Sequence, residues 1–294
     1  MTFARPDHSI DLDTLPQMPS WVISARAETL EDVSFLSGAA LSQLHVVLGH
    51  EEVPHALLRD RLALHAAEAC IAFSGRSERA AELRDAVHLL RPGDLPGPAG
   101  ETYLAWRCAV ERPLSIKALG RAVPTLEQGV IAAWLDTGQG APVARAAMVL
   151  ETVLTEAPRA DVAALILADA ALAQAVGWEH LMPLLAPGLK RAGLRKQGDD
   201  LRLACHRALI SSAVEALRLA ADLARRTAHL KAVAPKLRAK GAGDAVEMFL
   251  TRDAVAPSAL PLPDRAARRL CDRLVELGAV RELTGRDTFR LYGL

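Results

Sequence analysis

Apolar side chains recur along most of this chain at the three-to-four-residue spacing of an α-helix. From Glu31 the series Val33, Leu36, Ala40, Leu44, Val47 predicts a helix that Thr29 or Glu31 can start and Gly49 can end. Pro54 opens a second helix (Leu57, Leu58, Leu62, Leu64, Ile71), and Ser77 is a reasonable N-cap for a third that reaches Leu90. Residues 91–100, Arg-Pro-Gly-Asp-Leu-Pro-Gly-Pro-Ala-Gly, hold three prolines and three glycines and read as a stiff connector whose Leu95 should pack on the helical body. Further helices are expected near 101–111, 125–136, 143–156, 160–176, 179–193 and 199–231. No period of 20–50 residues repeats, which argues against a solenoid.

The pattern is sharpest at the end. Residues 242–252 read as a short amphipathic helix, and 253–263 as a turn. Asp264 is an apparent N-cap for a helix closed by Gly278, with Ala267, Leu270, Cys271 and Leu274 on one stripe and arginines on the other face. After Gly278 the period changes to two, giving a predicted hairpin that turns at Thr284–Asp287. Helix, turn, helix and hairpin in that order make a winged-helix unit. The expected fold is therefore all-α: a flexible arm over 1–20, a helical body over 21–240 and a winged-helix-like domain over 241–294.

Composition narrows this picture. The chain is 51% apolar but only 4% aromatic, so its core must be built from Ala, Leu and Val, a mixture that favours helices. Cys70, Cys108, Cys205 and Cys271 lie far apart with no CxxC, as expected of free thiols in a reducing cytoplasm. No cationic leader precedes an apolar run, and the most apolar stretch, 162–176, is too short for a membrane span and carries Asp169.

The net charge of zero hides an asymmetry. Residues 1–180 carry 14 Lys/Arg against 23 Asp/Glu, net −9; residues 181–294 carry 21 against 12, net +9. The basic side faces either a polyanion or the protein's own acidic half. On the winged-helix reading Arg265, Arg268, Arg269 and Arg273 line a major-groove helix, and Arg286 and Arg290 lie on the wing. Residues 241–294 carry 8 basic and 8 acidic side chains, so DNA binding must also draw on the run from Arg225 through Lys236, Arg238 and Lys240.

Candidate chemistry in the body is sparse. His65 and Glu68 share a face of one helix, Asp85 and His88 a face of the next, and two such pairs could hold metal ions as carboxylate-bridged bundles do. The further carboxylates such bundles require cannot be named, and surface or singly hydrogen-bonded roles are the preferred explanation of these residues. Phosphate-loop, dinucleotide-binding and nucleophile-elbow motifs are missing, so no cofactor and no enzymatic activity is expected.

Several segments carry a resemblance. The stretch Arg268–Arg286 resembles the recognition helix and wing of bacterial winged-helix regulators, and the winged-helix tails of some Fic-type proteins. Residues 33–41, 83–100, 233–241, 254–260 and 264–294 resemble a bacterial family catalogued as domain of unknown function 1403. That likeness implies a bacterial cytoplasmic protein and no particular activity. The expected role is thus a DNA-associated or regulatory protein acting through its winged helix. The alternatives are a protein-contact or oligomerisation module, docking on a second copy or an acidic partner, and a metal-dependent helical enzyme using His65, Glu68, Asp85 and His88.

Overall fold

The computed structural model describes residues 15–24, 26–91, 93–237 and 241–294. Among them run thirteen α-helices: α1 (Ser20–Ser24), α2 (Leu30–Val47), α3 (His55–Phe73), α4 (Ala80–His88), α5 (Gly97–Glu111), α6 (Ile116–Ala122), α7 (Gln128–Asp136), α8 (Pro142–Glu156), α9 (Asp161–Val176), α10 (Leu185–Gly188), α11 (Gly198–Val233), α12 (Ala242–Thr251) and α13 (Asp264–Glu276). Two two-residue strands, β1 (Arg281–Glu282) and β2 (Tyr292–Gly293), pair antiparallel. No helix among the described residues is long and apolar enough to cross a membrane.

At the centre lies α9, buried at every residue from Ala163 to Ala173. Its Leu165, Ile166, Leu167 and Leu172 are each worth about 1.5–3 kcal/mol relative to exposure, and its alanines let neighbouring helices approach closely. Helix α8 packs along α9, while the 36-residue α11 runs beside α2, α8 and α10. Helices α3, α4 and α5 form the layer on which the C-terminal segment sits. One apolar core includes Leu44 of α2, Trp106 of α5, Phe249 of α12 and Leu274 of α13, so residues 241–294 share it with the preceding helices.

Several expectations change. The Pro/Gly segment is not loop throughout: α5 already begins at Gly97, with Pro98 in its first turn, where the missing N–H costs nothing. Leu95 does not pack on the body; it is 85% exposed. Residues 179–193 form no continuous helix. Pro183 and Pro187 interrupt them, leaving α10 and a 3-10 turn at Gly193–Arg195. The amides of Leu184 and Leu185 instead donate to the wholly buried carboxylate of Asp169 on α9, at 3.2 and 3.1 Å. Gly188 then meets α11 so closely that a Cβ there would run into the Ala208 carbonyl. Helix α4 starts at Ala80 rather than Ser77, with the Arg79 amide donating to Glu82 Oε2. Residues 1–14 of the predicted arm lie outside the described residues, but Leu15 is buried in the core.

Candidate functional site

Helix α13 has the most divided surface in the chain. Ala267, Leu270, Cys271 and Leu274 are buried, while Arg265, Arg268, Arg269 and Arg273 are exposed. Pro263 takes the N-cap position expected of Asp264, which falls inside the first turn, where its charge favours the helix dipole. Acids interleave the arginines: Arg268 lies 3.1 Å from Asp264 and Arg273 3.0 Å from Glu276. Such exposed pairs hold their partners weakly, by about 0.2–1 kcal/mol, and leave the guanidinium groups open to a stronger anion.

The hairpin after α13 is smaller than the alternation predicted. Glu282 Oε1 accepts from the Thr284 and Gly285 amides at 3.2 and 2.8 Å and shapes the turn. A third backbone segment joins the sheet, where Val255 pairs with Tyr292. The hairpin also folds against the body: Arg286 reaches Asp85 of α4, and Leu283 and Leu291 pack with Leu89 just past that helix. Arg290 donates to the Arg286 carbonyl at 2.9 Å. The wing arginines are therefore partly occupied within the molecule.

Beneath this surface lies a buried charge cluster that periodicity does not reveal. Asp253, at 0% exposure, receives a two-pronged bond from Arg84, Nε to Oδ2 at 2.6 Å and Nη2 to Oδ1 at 3.0 Å. Arg61 of α3 pairs with the same carboxylate and also donates to the Leu294 carbonyl at 3.1 Å. Asp60 accepts from Arg107 of α5 at 3.0 Å and from the Asp253 amide at 2.9 Å. Burial alone raises the Asp253 carboxyl, but the Arg84 hydrogen bond and the charges of Arg61 and Arg84 outweigh it and hold the carboxyl low. Gly293 crosses the Asp253 carbonyl where no Cβ would fit. The sequence signal, visible only in hindsight, is the charged triplet Arg59-Asp60-Arg61 inside an otherwise apolar helical run.

The four candidate metal ligands are not gathered. Glu68 faces Arg79 at 3.3 Å, Asp85 is taken by Arg286, and His65 is exposed. His88 turns inward, where its buried Nε2 makes no hydrogen bond among the described residues, and burial followed by the Arg107 charge lowers it to about 4. Among the described residues no three His, Cys, Asp or Glu side chains come together in a metal-binding group.

Of the basic run, Arg225 and Arg226 both pair with Asp222, at 3.5 and 2.7 Å. His229 Nε2 lies 3.0 Å from the Leu277 carbonyl, tying α11 to the last turn of α13. Lys236 is exposed beyond α11, whereas Arg238 and Lys240 lie outside the described residues. The basic stretch thus adjoins the C-terminal end of α13, and Arg265 sits about three turns of helix away.

No match was found among curated proteins. The model of one family, described as protein of unknown function (DUF1403), matches residues 6–294 and so takes in both the helical body and the tail. With nearly its whole length matched in one span, the chain belongs to that family.

Proposed function

We propose that residues 241–294 form a winged-helix unit on a helical body, and that the protein is a non-enzymatic, DNA-associated regulator of the cytoplasm. The order α12, Val255 strand bridge, 3-10 turn at Pro257–Ala259, α13 and hairpin supports the winged-helix reading. The observation that carries the functional one is the division of α13, whose apolar stripe is buried while four arginines face solvent. In that unit α13 is the recognition helix, and Arg265, Arg268 and Arg269 near its start are placed to meet phosphates and base edges. The four free thiols suit a reducing compartment.

The test is duplex binding by fluorescence anisotropy at low salt. The double variant Arg268→Glu/Arg269→Glu is expected to bind at least about tenfold more weakly, since each change replaces attraction to phosphate by repulsion. Equal binding by variant and wild type rejects α13 as the contact. A second reading, contact with a second copy, draws on the acids interleaved with the arginines along α13, a pattern that can pair with the same face of another copy. Light scattering showing a dimer that the same double variant abolishes, without any duplex binding, would favour it.

A further inference from the structure

We infer that the cleft between α3, α5 and the end of α12 binds a small organic phosphate, held by Arg59, Arg107 and Arg252. The cleft has a volume of about 470 Å³, too large for a bare inorganic anion, and brings together one arginine from each of the three elements. Its two acids do not balance them. Asp60 is already engaged by Arg107 and by the Asp253 amide, which leaves Glu111 alone to face Arg59 and Arg252, an excess of one positive charge. Arg59 and Arg252 have no carboxylate partner within ion-pair distance among the described residues. Among the described residues the Arg59 side chain makes one hydrogen bond, from Nε to the Val110 carbonyl at 3.2 Å, which leaves the outer edge of its fork free.

Burial weighs on Arg59, lowering its pKa against a weaker opposing pull from Glu179, as expected of a cation short of counter-charge. A phosphate group supplies the missing negative charge. Planar guanidinium forks match its oxygens in pairs, which a set of lysines would not do. Leu104 and Val110 line the same cleft and offer an apolar wall to the organic part of the ligand. The placement has a consequence that rests on the regulatory reading above: Arg252 directly precedes Asp253, so a bound phosphate would brace the tail unit against α3 and α5.

The site is tested without DNA, by isothermal titration of the full chain with phenyl phosphate at low ionic strength. One equivalent is expected to bind, and Arg59→Gln and Arg252→Gln should each weaken it by about tenfold or more, the loss of one charge-assisted contact. Arg252 is exposed and its side chain makes no hydrogen bond or ion pair among the described residues, so its variant reports on binding even if Arg59→Gln fails to fold. Arg195→Gln, exposed on the 3-10 turn and outside the cleft, should leave binding unchanged. Failure to bind at about ten millimolar, far weaker than a built site should be, overturns the proposal. Binding indifferent to both Arg59→Gln and Arg252→Gln, or benzoate bound as tightly as phenyl phosphate, also overturns it. Loss of duplex binding with phenyl phosphate binding intact would reject the DNA reading and leave this site standing.

Discussion

Asp253 joins three parts of the chain through one carboxylate, and its chemistry predicts how the molecule responds to substitution. Asp253→Asn leaves Arg61 and Arg84 buried without their counter-ion, a loss of about 3–5 kcal/mol that urea unfolding would measure. Because the folded carboxyl is held low, its contribution is present at neutral pH and is lost as pH falls below the ordinary carboxylate range, about pH 4. Asp169 has the opposite sign. Complete burial raises its carboxyl well above the usual range, against the weaker pull of the Leu185 and Leu184 amides. Its contribution is therefore full below about pH 4 and declines as pH rises. Asp169→Asn should remove that decline, so wild type and variant should diverge in stability between pH 4 and 7; parallel curves would refute the assignment. The Tyr103 hydroxyl is buried with no hydrogen-bond partner among the described residues. Tyr103→Phe should accordingly change stability by less than about 1 kcal/mol, in either direction.

At the scale of elements, the chain announces its amphipathic helices and conceals its irregular ones. Helices α2, α3, α8, α9 and α11 follow from apolar spacing because each buries a stripe or a whole circumference. Helix α13 was legible down to its individual arginines, since its buried and exposed faces differ so sharply. The segment 179–193 was not, because its apolar residues are spaced well enough for a helix while its backbone is set by two prolines and a carboxylate on α9. The hairpin shrank because Leu283 to Leu291 is shaped by Glu282 and by packing on α4, which no local period records. Gly293→Ala tests that packing: its Cβ would strike the Asp253 carbonyl, and a fall of about 1–3 kcal/mol in unfolding free energy is expected.

For the whole molecule, the charge asymmetry along the chain admitted two readings, and part of it resolves internally. Arg286 meets Asp85, and Asp253 meets Arg61 and Arg84, so acidic and basic halves exchange partners in both directions. These pairings were invisible in one sequence because Arg84 and Asp253 are 169 residues apart. The apolar core that spans body and tail predicts a single cooperative unfolding transition, with near- and far-ultraviolet circular dichroism curves that coincide. What these long-range pairs do not absorb is the outward face of α13, whose arginines pair only with exposed acids of their own helix. The salt dependence of duplex binding tests that face most directly. If its four arginines meet phosphates, the logarithm of the binding constant should fall against the logarithm of salt with a slope of about −2 to −4, and become shallower by about 1–2 in Arg268→Glu/Arg269→Glu. A duplex left unbound at about 50 mM salt, or a slope the two substitutions do not alter, would contradict the account.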